Sequence, residues 1–111
     1  MSRSLAASLR KGAPVFAALG DAVRLRIVAK LSTGDTLSIA RLTDGESVTR
    51  QAITKHLDVL AAAGLVRDVR VGRERRWALD PVPLDEARGY LELVSIRWDR
   101  RLARLKALVE E

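Results

Sequence analysis

Thr49-Arg-Gln-Ala-Ile-Thr-Lys-His-Leu-Asp-Val-Leu-Ala-Ala-Ala63, closed by Gly64, is the stretch on which the fold turns. Placed on a helix at 100° per residue, it separates into two faces. Arg50, Gln51, Thr54, Lys55 and Asp58 fall on one arc, with Ala61 and Ala62 at its far end. Ala52, Ile53, His56, Leu57, Val59, Leu60 and Ala63 fall on the other. Thr49 stands where an N-cap belongs and Gly64 where a left-handed residue ends a helix. The polar arc starts with long hydrogen-bonding side chains at the helix N-terminus, the end that reaches base edges in a major groove. An ordinary amphipathic surface helix has the same two faces, so the flanking chain has to decide between them.

Upstream, Ser38 is placed to cap a short helix over 39–44 that ends at Gly45, and residues 45–48 lead into the cap at Thr49. Two helices joined by a tight glycine-containing turn, the second with a polar face, form a helix-turn-helix pattern over 38–63. The first helix must brace the second steeply for it to enter a groove about 12 Å wide. Ala40 and Leu42 are expected to form that brace against Ile53 and Leu57. Earlier still, Asp21 caps a predicted helix over 22–31 whose core side is Val23, Ile27, Val28 and Leu31. Asp21 and Arg24 stand i,i+3 apart and are expected to pair. Leu5 and Leu9 mark a first short helix over 2–11. Lys11-Gly12-Ala13-Pro14 interrupts it, with Pro14 opening a second helix that runs to Leu19.

Downstream, residues 65–71 and 74–80 alternate in the manner of strands, joined by Gly72-Arg73 as a two-residue hairpin turn. The alternation puts Leu65, Val69 and Val71 on one face, with Trp77 and Leu79 opposite them. Five arginines and two acids lie between Arg67 and Arg76, a surplus of +3 from 5 − 2. A hairpin with a basic tip can simply carry charge to discourage edge aggregation. Directly after a helix with a base-reading face, it is instead expected to be a wing that meets phosphates or a narrow minor groove. The last segment, 83–111, reads as one helix. Leu84, Ala87, Leu91, Val94, Trp98, Leu102, Leu105 and Val109 make its continuous apolar stripe, and Leu93, Ile96, Ala103 and Ala107 make a weaker second face. Such a helix needs two partners, and a second copy of the chain is the simplest source of one.

The 111 residues bound this to one domain, with the terminal helices over 1–19 and 83–111 and the wing over 65–80. Twenty Lys and Arg against fourteen Asp and Glu leave +6, which favours a polyanionic partner. There is no cysteine, so disulfides, thiolate metal sites and cysteine catalysis are excluded. The only histidine, His56, lies within an apolar arc and is expected to be packed and hydrogen-bonded rather than a metal ligand. Without a nucleophile–base pair or a phosphate-binding glycine loop, no enzyme is expected, and neither is a cofactor or metal. No run is long and apolar enough to span a bilayer, so the expectation is a cytoplasmic protein with no membrane partner.

The motifs Phe16-Ala-Ala-Leu-Gly-Asp21, Arg24-Leu-Arg-Ile-Val28, Leu37-Ser-Ile-Ala40, residues 49–60 and Ala63-Gly-Leu-Val66 closely resemble the ArsR family of bacterial winged-helix repressors. Gly72-Arg-Glu-Arg-Arg-Trp77 and Trp98-Asp-Arg-Arg-Leu102 extend the likeness over nearly the whole chain. The resemblance implies a homodimeric transcriptional regulator whose terminal helices form the dimer interface. It also implies an operator near the protein's own promoter and, usually, repression. The metal-sensing members use cysteine pairs, or histidine and carboxylate ligands on the terminal helices. With no cysteine here, the chain is similar to the branch that does not sense metals through thiolates.

The expected fold is thus mainly α with a β-hairpin wing: a winged helix-turn-helix with a long C-terminal dimerisation helix. The expected partners are a double-stranded, palindromic DNA operator and a second copy of the chain. Thr49, Arg50, Gln51, Thr54 and Lys55 are the candidate major-groove residues. Arg70, Arg73, Arg75 and Arg76 are the candidate phosphate or minor-groove residues. Leu5, Leu9, Leu91, Val94, Trp98, Leu102, Leu105 and Val109 are the candidate dimer interface. The competing expectation is a winged helix that docks a protein through its C-terminal helix without specific DNA binding.

Overall fold

The computed structural model describes residues 3–110. In chain order the elements are α1 (Arg3–Leu19), α2 (Ala22–Leu31), β1 (Leu37–Ser38), α3 (Ile39–Thr43), α4 (Arg50–Ala62), β2 (Val66–Val71), β3 (Glu74–Leu79) and α5 (Pro81–Glu110). Ser2 and Glu111, the expected outer ends of the terminal helices, lie outside the described residues.

Helix α4 forms as its pattern predicts. The Thr49 hydroxyl accepts from the Ala52 amide at 3.1 Å, satisfying one of the unpaired donors of the first turn. At the other end Gly64 takes φ +78°. This lets its amide reach the Ala61 carbonyl and the Leu65 amide reach the Leu60 carbonyl. That is a Schellman closure, and Leu60 and Leu65, both fully buried, supply the apolar contact that accompanies it. Ile53, Leu57 and Leu60 anchor the inner face, joined in one core by Ile27, Leu31, Leu42, Val66 and Trp77. Leu42 braces α4 as expected, whereas Ala40 is only half-buried. Val59, assigned to the apolar arc, is 43% exposed. It sits at the edge of that arc, where the core does not reach.

Four features depart from the sequence expectations. First, α1 is one continuous helix with Pro14 inside it, instead of two pieces. Leu5, Gly12, Val15 and Ala18 are buried along one side of it, on both sides of the proline, and Pro14 points outward. A single straight face is what packing on α5 requires, and Pro14 forfeits only one backbone hydrogen bond at the surface. Gly12 lies at the contact: a Cβ there would be in ordinary contact with the Ala87 Cα at 3.6 Å and would press lightly on the Phe16 ring at 3.3 Å. Phe16 meets Tyr90 of α5 edge-on, with centroids 5.9 Å apart.

Second, the wing belongs to a three-stranded antiparallel sheet ordered β1-β3-β2. The added strand pairs Leu37 with Trp77 and Ser38 with Arg76, fastening the wing to the start of α3. Third, the register corrects the expected faces. Val66 lies opposite Leu79 and Asp68 opposite Trp77, while Val69 and Val71 face Arg76 and Glu74. Directly paired residues share a face, so Val69 and Val71 do not meet Trp77 and Leu79. The chain leaves α4 with Leu65 and Val66 both buried, which shifts the alternation by one residue. The turn itself is as expected, with Gly72 at φ +64° between the paired Val71 and Glu74.

Fourth, α5 starts at Pro81, two residues before the expected start, because the Asp80 carboxylate accepts from the Val82 amide and opens the helix. Its 30 residues extend for about 45 Å. Only Ala87 is buried on it, and every residue from Val94 to Glu110 is exposed. Leu5, expected at a dimer interface, is instead buried within its own chain, and Leu9 is half-buried.

Candidate nucleic-acid interface

The N-terminal turns of α4 present Arg50, Gln51 and Lys55 as exposed side chains. None of the three has a side-chain hydrogen bond or ion pair among the described residues. The capped, positive end of the helix therefore carries two cations and one amide with their donors unspent. Thr54 is half-buried, and its hydroxyl donates to the Arg50 carbonyl at 3.0 Å. With its proton spent, the hydroxyl can still accept a hydrogen bond, and a threonine methyl can contact a thymine methyl. Thr49 is committed as the cap, so its expected contribution passes through the backbone amides it orders.

The wing arginines divide into two sets. Arg75 Nε donates to Asp68 at 3.1 Å, and its guanidinium lies 4.6 Å from the centroid of the Trp77 ring. Arg76 donates to Glu74 at 3.2 Å. Both are tied to the sheet, and their charge is partly compensated. Arg70 and Arg73 are exposed and have no ion pair among the described residues, and Arg73 occupies the turn itself. Of these four arginines, the two without a partner lie toward the tip, while Arg67, also exposed and without an ion pair among the described residues, lies near the base of β2. The sequence expectation grouped these four arginines together, and the register separates them.

Two polar clusters hold α4 in place through pairings that the sequence reading did not anticipate. Glu46, in the turn between α3 and α4, receives hydrogen bonds from Arg26 at 2.8–3.1 Å and from Lys30 at 3.3 Å. Lys30 also donates to the Leu42 and Asp44 carbonyls at 2.9 and 3.0 Å, closing the C-terminal end of α3. The hydrogen bonds from Arg26 hold the Glu46 carboxyl below the usual carboxylate range. Burial opposes this, and Lys30 reinforces it. The i,i+4 spacing of Arg26 and Lys30 on α2 was the only available clue.

At the other end of α2, Asp21 caps the helix through the Val23 and Arg24 amides at 2.8 and 3.1 Å. The Arg24 amide is the main reason that its carboxyl is held below the usual range. The Arg24 side chain does not pair with Asp21 as expected. Its Nε donates to the Ala18 carbonyl, and Nη1 lies 3.1 Å from His56 Nδ1. His56 is packed and hydrogen-bonded, as its place in the apolar arc suggested. Among the described residues no three of His, Asp and Glu gather into a metal-sized group. None of these helices is long and apolar enough to cross a membrane.

Comparisons with known proteins agree with this arrangement. Residues 19–69 match the family described as a helix-turn-helix domain. The chain is 40% identical to the HTH-type transcriptional regulator YuzN of Bacillus subtilis, over 70% of this chain and 92% of that protein. An ArsR-like transcriptional regulator from Rhodococcus sp. RHA1 has a similar structure, with 40% identity and a TM-score of 0.76. That match covers 92% of this chain and 95% of the Rhodococcus chain. Mb0332 of Mycobacterium bovis is 25% identical with a TM-score of 0.61, over 94% and 93% of the two chains. Its solution structure is described as a homodimeric winged helix-turn-helix DNA-binding domain. These proteins are regulators, not enzymes.

Proposed function

Because the chain belongs to the ArsR family of winged helix-turn-helix transcriptional regulators, we propose that it binds operator DNA as a homodimer and represses transcription. In this reading α4 enters the major groove. Arg50 and Lys55 address guanine or phosphate, and Gln51 addresses adenine. Arg70 and Arg73 follow phosphates or enter the minor groove, and the dipole and amides at the start of α4 add a phosphate contact. The observation that carries the reading is the start of α4: Arg50, Gln51 and Lys55 stand exposed and unpaired on one face of a capped helix.

The apolar stripe of α5 supplies the dimer. Leu91, Val94, Trp98, Leu102 and Leu105 are each more than 40% exposed. So long an apolar face on a monomer marks an interaction surface. The homodimeric description of Mb0332 favours a second copy as the partner. Two α4 helices would then meet a palindrome about one DNA turn apart, about 34–36 Å.

The test is binding to the DNA immediately upstream of the protein's own coding region, against random competitor, over a salt series. A footprint on a palindrome, tighter than random DNA by about 10³ or more, is the expected result. Salt-sensitive binding without preference would reassign the chain to general DNA packaging. An absence of binding, with α5 capturing a different protein, would support the protein-docking alternative.

A further inference from the structure

One guanidinium touches the parts of the molecule that would have to be coordinated for reading DNA. Arg24, in the first turn of α2, donates through Nε to the Ala18 carbonyl near the end of α1. Through Nη1 it reaches Nδ1 of His56, 3.1 Å away in the middle of α4. Helix α1 packs along the start of α5 through Gly12 and Phe16. Arg24 therefore joins the layer that carries the proposed dimer face to the helix that carries the proposed reading face.

The chemistry of this contact fixes the protonation state it needs. Arginine offers only donors, so Nδ1 must accept and the ring proton must sit on Nε2. Only the neutral imidazole can do this. Protonation replaces the acceptor with a second cation facing Arg24. The other charged group beside the ring is Asp21, whose Oδ1 is 3.9 Å from Nδ1 and already accepts from two amides. Asp21 and Arg24 both come from the start of α2, and α1 contributes only the Ala18 carbonyl. On α4 itself the neighbouring Lys55 belongs to the opposite, exposed face. A charged ring is drawn toward Asp21 and away from Arg24.

We propose that Arg24 is a positioning residue for DNA reading: by holding the Ala18 carbonyl and neutral His56 together it sets the orientation of α4, and protonation of His56 releases that hold. Gln51 and Arg50 lie five and six residues before His56, about 8–9 Å along the axis. A small tilt at His56 therefore displaces them from the base edges. Phosphate contacts from flexible side chains at the wing tip tolerate the same tilt. The loss falls on sequence preference and spares general affinity for DNA. This rests on the DNA-binding reading above.

The test compares the full-length protein with Arg24→Gln, His56→Leu and His56→Asn. The asparagine amide oxygen can stand in for Nδ1 as an acceptor and does not titrate. The first two variants should lose tenfold or more in operator affinity, with affinity for random DNA, dimer mass and helix content unchanged. His56→Asn should bind the operator nearly as the parent does at pH 7.5. It should also keep its sequence preference on acidification, where the parent loses it. His56 is the only histidine, so that difference reports on one ring. Equal losses of operator and random binding, or the same acid profile in parent and His56→Asn, would overturn the proposal. Amide exchange over residues 50–56 without DNA provides an independent arm: Arg24→Gln should accelerate it tenfold or more relative to the core of α2. Should the parent bind no DNA, the functional reading fails, and the exchange arm still judges the latch, with unchanged exchange overturning it.

Discussion

Arg26 Nη2 lies 2.8 Å from Glu46 Oε1, and the pair fastens α2 to the turn between α3 and α4 with the Glu46 side chain only 3% exposed. The helix-turn-helix corner is therefore held by an ion pair as well as by the apolar contact of Leu42 with α4. Lys30 completes the clamp by taking both the carboxylate and the last carbonyls around α3.

This clamp makes stability depend on acid. The folded state holds Glu46 below its ordinary value of 4.5, chiefly through the Arg26 hydrogen bonds. Its contribution is complete above that value, and it is lost as pH falls below 4.5 and through the lower folded-state value. Thermal melts from pH 7 to pH 3 should show this decline, superposed on that of other carboxylates. Glu46→Gln should be less stable at pH 7 and should decline less steeply in acid. Parallel pH curves for parent and variant would remove Glu46 from the account.

Base-reading and phosphate-holding residues should fail differently. Gln51→Ala or Arg50→Ala should cost ~1–3 kcal/mol on the operator and relax preference at one position per half-site. Arg73→Ala should weaken binding to all sequences and flatten the salt dependence by about one unit. Arg75→Ala should matter less for DNA than Arg73→Ala, because Asp68 and the Trp77 ring already engage its guanidinium. Competition binding on systematically altered sites distinguishes these patterns, and equal losses in every variant would contradict the assignment.

Dimer assembly should depend on the exposed stripe of α5 and not on Leu5. Leu102→Asp or Leu105→Asp should weaken association by about 2 kcal/mol or more, as a charge in the centre of an apolar interface does. Sedimentation should then show monomers with unchanged helix content and a shortened footprint. Leu5→Ala should lower the stability of the protomer by about 2–5 kcal/mol, since its burial is within one chain. A Leu102→Asp protein that remains dimeric would mean that another surface pairs the copies.

Gly12 should tolerate no branched side chain. With the Ala87 Cα 3.6 Å and the Phe16 ring 3.3 Å from the place a Cβ would occupy, Gly12→Val should force α1 away from α5. The cost should be about 1–3 kcal/mol, as for other overpacked sites. Gly12→Ala should be much milder, because the ring edge can swing aside and the helix gains about 1 kcal/mol in propensity. Denaturant unfolding of the two variants checks the order, and a Val variant as stable as the parent would show that the two helices can separate freely.

What could be read along the chain was what neighbours decide within a turn. The caps at Asp21, Ser38 and Thr49, the left-handed closure at Gly64 and the turn at Gly72 each depend on groups one to five residues apart. The same holds for the two faces of α4 and the apolar stripe of α5. These were enough for a winged helix-turn-helix and for an exposed polar face at Arg50, Gln51 and Lys55.

Local spacing therefore set the periodic elements, their ends and the chemistry exposed at the start of α4. Packing between distant segments settled the rest. Strand β1 exists because Leu37 and Ser38 find Trp77 and Arg76, about forty residues away. Pro14 stays within a helix because α5 demands one unbroken face. Val69 and Val71 turn away from Trp77 because Leu65 and Val66 are both drawn into the core. Arg24 reaches the Ala18 carbonyl and His56, both brought to it by packing, rather than the side chain of its near neighbour Asp21. Each outcome is a competition between a local preference and a distant partner. The winner depends on which groups the packed core brings within reach, and no spacing along one chain encodes that.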